Sequence, residues 1–277
     1  MVIGDTSSSP DRKGTSTEAS SLPDSSTSSV PSFVPDLHIK LSKIAFQEQI
    51  VLENLSLTLE AGKITCLLGP SGVGKTSVLK SIAGFIPLAQ NSEISATDLL
   101  PLTGRIAYMD QNDLLLPWAT VLENVVIAAR LNGSTPDLAR ARYLIEQVGL
   151  SPKMNDRPDT LSGGMRQRVA LARTLMNDSP IILVDEPFSA LDAITRHRLQ
   201  ALMAELLKDR TVLMITHDPL EALRVAHQIY VLAGDPVLLS PPLHMEGEIP
   251  RIPTDPGLQP RLQLILSMLG MTREDAI

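Results

Sequence analysis

The sequence predicts an α/β protein whose core is a mostly parallel β-sheet with helices on both faces. Three observations carry that expectation. Apolar runs of strand length recur as ITCLL (Ile64 to Leu68), IILV (Ile181 to Val184), TVLMI (Thr211 to Ile215) and IYVL (Ile229 to Leu232). A strand that is apolar along its whole length has both faces covered. Helical patterns separate these runs, as at Thr76 to Phe85 and Ala193 to Leu207, and strands alternating with helices build parallel sheets. Between the first run and its helix lies a glycine-rich loop, GPSGVGKT.

Along the chain, residues 1–35 are dominated by Ser, Thr and Pro with almost no aliphatic pattern. Such a segment cannot bury enough apolar surface to offset chain entropy, and a disordered tail is expected. From Leu37 the pattern turns to short β-like runs. Leu55, Leu57 and Leu59 alternate with Ser56 and Thr58, the period of a half-buried strand. A further strand, RIAYM, ends at Met109, and residues 112–160 read as helical only, an inserted subdomain. The stretch TLSGGMRQRVALARTLM, from Thr160, opens another helix on a Ser-Gly-Gly start. Residues 235–277 begin Pro-rich and end in an apolar helical pattern, Leu262, Leu264, Ile265, Leu266, Met268 and Leu269. They are expected to form a C-terminal extension that docks on the core or on a partner.

Composition excludes some functions. The 277 residues are 43% hydrophobic, enough for a substantial core, and the net charge of −7 comes without any block of Lys or Arg. The electrostatic footprint of a nucleic-acid binder is missing. The one cysteine, Cys66, sits in ITCLL, where a buried inert thiol is expected and no internal disulfide can form. No apolar stretch approaches the roughly 18 residues that cross a bilayer, so a role at a membrane requires a docking partner.

Gly69-Pro70-Ser71-Gly72-Val73-Gly74-Lys75-Thr76 fits G-x-x-x-x-G-K-[ST] and lies between a strand and a helix. Glycines let backbone N–H groups turn inward around phosphates, Lys75 reaches the β and γ phosphates, and the Thr76 hydroxyl can ligate Mg²⁺. A nucleotide-hydrolysing site needs acids as well. The run Ile181 to Val184 delivers Asp185 toward the Mg²⁺ shell and Glu186 beside it, placed to polarise the attacking water. Ser162-Gly163-Gly164 looks like a second anion cradle, since a helix N-terminus offers free N–H donors and a positive dipole end.

With these motifs in this order, the chain resembles the nucleotide-binding subunit of an ATP-binding cassette (ABC) transporter from about Leu37 to Leu232. Leu161 to Gln167 resembles the family's signature, with Ser162, Gly163, Gly164 and Gln167 as its contact residues; Gln111 resembles the Q-loop, Ser189-Ala190-Leu191-Asp192 the D-loop, and His217 the switch histidine. The resemblance implies a P-loop NTPase fold with a RecA-like sheet, an antiparallel β subdomain and the helical insertion, over residues 36–234. It implies ATP and Mg²⁺ as cofactors, with Thr76, Gln111 and Asp185 toward the metal and Glu186, His217 and Gln111 as catalytic residues. It also implies a homodimer in which each signature closes on the ATP of the opposite subunit. Phe46 takes the place of the family's adenine-stacking aromatic, or is a core residue. Asp110, before Gln111, stands where an apolar or aromatic residue is frequent in the family. The remaining histidines are expected to be surface or packing residues.

LLLPWATVLENV (Leu114 to Val125) and DEPFSALDAITR (Asp185 to Arg196) are similar to bacterial importers of the nitrate, sulfonate, taurine and hydroxymethylpyrimidine group. The similarity implies integral membrane permease subunits, a periplasmic or extracellular solute-binding protein, no nucleic acid, and a peripheral position on the cytoplasmic face of the inner membrane. Trp118 is either an anchor for the permease or core of the helical insertion. The alternative function is a soluble ABC ATPase acting on nucleic acid or a protein assembly; those relatives tend to carry coiled-coil insertions or two cassettes.

Overall fold

The computed structural model describes Met1 and residues 33–46, 49–252 and 254–270; the expected tail lies largely outside the described residues. The chain opens with β1 (Leu37–Phe46) and β2 (Gln49–Leu59), paired antiparallel from Leu37 opposite Leu59 to Phe46 opposite Gln49. Next come β3 (Ile64–Leu68) and α1 (Lys75–Ile82), then β4 (Glu93–Ala96), which pairs with the other edge of β1 to complete a three-stranded antiparallel sheet. After β5 (Ile106–Met109) the helical insertion holds α2 (Val121–Val125), α3 (Ile127–Leu131) and α4 (Leu138–Gln147). Thr120 and Glu123 form a reciprocal capping box at the start of α2, satisfying N–H groups that a helix end leaves free.

The second half alternates as predicted: α5 (Gly163–Leu175), β6 (Ile181–Asp185), α6 (Ala193–Leu206), β7 (Thr211–Thr216), α7 (Pro219–Val225) and β8 (Gln228–Ala233). The strands lie in the order β8-β3-β7-β6-β5, all parallel. Every residue of β3, β6 and β7 is buried, because helices cover one face of the sheet and α1 with the antiparallel sheet covers the other. Successive side chains point to opposite faces, and the core divides accordingly. Ile64, Cys66, Leu68, Ile182 and Val184 pack with α2, α4, α5, α6 and α7, whereas Leu67, Ile181, Leu183 and Ile215 pack with α1 and β1–β2. The helix of the phosphate loop and the helix of the signature therefore occupy opposite faces of one sheet.

The C-terminal segment is more closely integrated than its composition suggests. Short strands β9 (Leu238–Leu239) and β10 (Leu243–His244) both pair antiparallel with β8. Helix α8 (Gln259–Met268) packs on α7 and β8 through Ile265, which is fully buried. Burying one such side chain stabilises by roughly 1.5–3 kcal/mol. No helix among the described residues is long and apolar enough to cross a membrane.

Candidate active site

The phosphate loop leaves β3 and returns into α1. Gly69 is held so near β8 that a Cβ would collide with the Leu232 carbonyl, and Gly74 (φ 107°) would place one 2.8 Å from a Val51 methyl. Only glycine fits both positions. Gly74 caps α1 with no side chain, so the first-turn N–H groups face the loop's interior without a side-chain acceptor, ready for an anion. Lys75 is buried; its Nζ donates to the loop's own carbonyls, Gly69 O at 2.8 Å and Pro70 O at 2.9 Å. Burial lowers its pKa, with the Glu186 and Asp185 charges opposing. Pro70, Ser71 and Gly72 are exposed, and Val73 and Thr76 half-buried.

Asp185, the last residue of β6, is 1% exposed, and neither carboxylate oxygen has a hydrogen-bond partner among the described residues. Burial is the main cause that raises its pKa; Glu186 and Asp110 add to it, while the nearby Thr76 hydroxyl and Lys75 oppose it. A buried carboxylate without partners is costly. A hard cation with oxygen ligands relieves that cost, and Asp185 with the Thr76 hydroxyl fits Mg²⁺. No cluster of three or more His, Cys, Asp or Glu among the described residues could hold a metal, so such an ion would take its other ligands from Gln111, phosphate oxygens and water.

Glu186 adopts φ 44°, a strained backbone costing about 1–3 kcal/mol that the surroundings must enforce. They do so by pulling its N–H onto the Ile215 carbonyl of β7 (3.0 Å), while Ser189 Oγ donates to its carbonyl (3.1 Å). The side chain is aimed between two other predicted residues. Glu186 Oε1 lies 3.1 Å from His217 Nδ1, and Gln111 Nε2 donates to Oε2 at 3.5 Å. Gln111, Asp185 with Glu186, and His217 follow β5, β6 and β7, three adjacent parallel strands. The phosphate loop follows β3, the next strand over. Ligands of open parallel sheets bind beyond these carboxyl ends.

Asp110 explains part of this geometry. Its Oδ1 accepts from Asn112 N (3.0 Å), bending the chain across Gln111, and its Oδ2 accepts from Tyr108 Oη (3.1 Å). Lys80 of α1 lies 3.6 Å away. The polar residue at this position shapes the turn.

The second cradle is differently finished. Ser162 caps α5, its Oγ accepting from Met165 N at 3.3 Å, and it is exposed together with Gly163. Gly164 is a close approach, since a Cβ there would lie 2.9 Å from the Ala190 carbonyl. The D-loop thus sits against the start of α5. Asp192 is exposed and caps α6 by accepting from Thr195 N at 2.9 Å, a bond that holds its carboxyl below the usual range. Gln167 does not join Ser162 on the exposed face: it is 4% exposed, and its amide nitrogen has no partner among the described residues. One turn into the helix, its side chain rotates inward.

Of the other expectations, Phe46 closes β1, but its side chain lies outside the described residues. Trp118 is 70% exposed, which removes the core alternative. His227 is a packing residue whose Nδ1 accepts from Ile64 N at 3.0 Å. Cys66 is buried, and burial pushes its thiol pKa far up.

A glycine loop and a strand-end acid pair at the carboxyl edge of a parallel sheet define a P-loop NTPase. The comparisons narrow the class. Residues 52–189 match the family model described as ABC transporter. An uncharacterized ABC transporter ATP-binding protein of Haemophilus influenzae is 42% identical, covering 82% of this chain and 95% of its own. An aliphatic sulfonates import ATP-binding protein, SsuB 1 of Pseudomonas fluorescens, is 38% identical over 83% of this chain and 85% of its own. Among solved structures, a dimeric post-hydrolysis state of the ATP-binding cassette MJ0796 bound to ADP and Pi is 28% identical, with a TM-score of 0.65, covering 76% of this chain and all of that one. The chain belongs to the ABC transporter family and is an ATP-hydrolysing ATPase.

Proposed function

We propose that this chain is the ATPase subunit of a bacterial importer for a small organic solute or anion, of the sulfonate, taurine, nitrate or pyrimidine thiamine-precursor type. The observation that carries the chemistry is Glu186 held between His217 and Gln111 beside the partnerless Asp185. The loop N–H groups and Lys75 bind the phosphates. Thr76, Asp185 and Gln111 would hold Mg²⁺, which when bound would neutralise charge on the phosphate oxygens. Glu186 accepts a proton from, or orients, the attacking water, with His217 and Gln111 fixing its carboxylate.

Because α1 and α5 lie on opposite faces of the sheet, the Ser162 cradle is suited to another copy's nucleotide. A homodimer sandwiching two ATP molecules uses both cradles, and only ATP, with its γ-phosphate, bridges the subunits. The dimeric cassettes among the similar structures support this arrangement. Exposed Trp118 and Leu114, in the helical insertion near Gln111, suit a hydrophobic anchor for integral membrane permease subunits at the cytoplasmic face. The similar SsuB proteins, named as import ATP-binding proteins, support the import direction, and an importer of this type would work with a solute-binding protein outside the membrane. Affinity purification from native membranes tests the assignment. A stoichiometric polytopic membrane protein is expected, and recovery of ribosomes or nucleic acid in its place would contradict it.

A further inference from the structure

Arg196, one turn into α6, grips two loops at once. Its Nη2 donates to the Leu191 carbonyl of the D-loop at 3.1 Å, Nη1 lies 3.5 Å from Asp218 Oδ2, and Nε lies 3.5 Å from Glu221 Oε1. Asp218 itself flanks His217, and Glu221 holds the other flanking residue, Thr216. The buried Glu221 accepts from Thr216 Oγ1 at 2.7 Å, and the same Thr216 oxygen accepts from Asp218 N at 3.0 Å. His217 stands between these two residues, 3.1 Å from Glu186. At the other end, a Cβ on Gly164 would meet the Ala190 carbonyl and the Leu191 side chain, so the D-loop lies close against the start of α5. A continuous run of contacts thus leads from the signature cradle through Arg196 to the hydrolytic carboxylate.

We propose that Arg196 is a positioning residue for ATP hydrolysis, tying the His217 loop to the D-loop so that closure of the signature cradle sets His217 against Glu186. The proposal rests on the roles given above to Glu186 and His217. Arginine suits the task because its planar fork donates from Nη1 to Asp218 and from Nη2 to Leu191 O in fixed directions while its charge faces Glu221, Nε having no hydrogen-bond partner among the described residues; lysine offers a single ammonium. At 32% side-chain exposure, its ion pairs contribute little to stability; their value is geometric. Misplacing a catalytic group by about 1 Å costs up to roughly a hundredfold in rate.

The test is steady-state ATPase kinetics and ATP binding on the full chain for Arg196→Ala, His217→Ala and the double variant. Arg196→Ala should lower kcat roughly ten- to a hundredfold with ATP affinity and KM nearly unchanged. The double variant should be no slower than His217→Ala alone, because Arg196 acts through His217. A merely structural role would slow the His217→Ala background by the same factor again, and that result would overturn the proposal, as would wild-type turnover in Arg196→Ala. Asp218→Asn keeps an oxygen to cap Leu220 N but removes the charge facing Arg196, so it serves if the alanine variant folds poorly. It should slow the wild type by less and leave His217→Ala unchanged; any other pattern counts against Arg196. Wild-type turnover in His217→Ala would instead overturn the underlying role of His217. Impairment there without impairment in Arg196→Ala overturns the proposal alone.

Discussion

The two anion cradles of this chain begin alike, as glycine-containing entries to a helix, and are finished in opposite ways. The loop at Gly69–Thr76 is closed from within the chain: Pro70, Ser71 and Gly72 are exposed, but Lys75 is buried against the loop's carbonyls, and Asp185 and Glu186 stand at the end of β6, two strands from β3. The cradle at Ser162 opens outward, with Ser162 and Gly163 exposed and no acid or lysine among the described residues hydrogen-bonded to Ser162 Oγ. A site that binds and hydrolyses must hold its charges in place before the substrate arrives. A site that only senses the γ-phosphate of another subunit needs donors and access. In the proposed dimer, hydrolysis and sensing would fall to different cradles, the first at the carboxyl ends of the strands and the second at the start of α5.

The sharpest way to break this contrast is to remove the base from the closed site. Glu186→Gln keeps the shape between Gln111 and His217 and leaves Asp185 in place, so nucleotide binding should persist while turnover falls roughly 10²- to 10⁴-fold, the range of a general base. Phosphate release against ATP binding measures both. Lys75→Ala removes a charge-assisted contact to phosphate and should weaken ATP binding by about 1.5–3 kcal/mol, read by calorimetry; an unchanged affinity would mean the loop is not the nucleotide site.

Asp185 sharpens the contrast differently, because its carboxylate is buried with no hydrogen-bond partner among the described residues. Its folded-state pKa is raised, so the fold holds more protons than the unfolded chain between the ordinary carboxylate range and the raised value, and the penalty grows as pH rises through that window. Asp185→Asn should therefore raise the melting temperature of the nucleotide-free protein at pH 7, by about 1–3 kcal/mol of stability. The gain should vanish toward pH 4, and the extra stabilisation by Mg²⁺ with ATP should disappear. The smallest effect is expected from deleting residues 1–32, which should leave turnover and melting temperature nearly unchanged.

Much of the closed site was legible in the chain because its parts are local. GPSGVGKT and the Asp185–Glu186 pair each announce themselves within a few residues, and the apolar runs before them predict the strands that align them. What sequence spacing could not show depends on long-range contacts. Strand β4 has no apolar run of its own and exists through its pairing with β1. Arg196 is an ordinary exposed helix residue until Asp218 and Glu221 fold back onto it. Gln167 belongs to the signature in sequence yet is turned inward by helical geometry. Asp110, read as a departure from a family pattern, is the residue that bends the Gln111 turn.

The separation of hydrolysis from sensing is tested most directly by the oligomeric state of the slow variant. Glu186→Gln should be a dimer on size exclusion with ATP and a monomer with ADP, since trapped γ-phosphates hold the two subunits together. Adding Ser162→Arg puts a bulky side chain where the partner's phosphate must sit, while leaving the phosphate loop on the other face untouched. The double variant should remain monomeric with ATP and bind nucleotide nearly as before. An ATP-dependent dimer that survives Ser162→Arg would contradict the account, because the exposed cradle would then not be the surface that reads the partner's nucleotide.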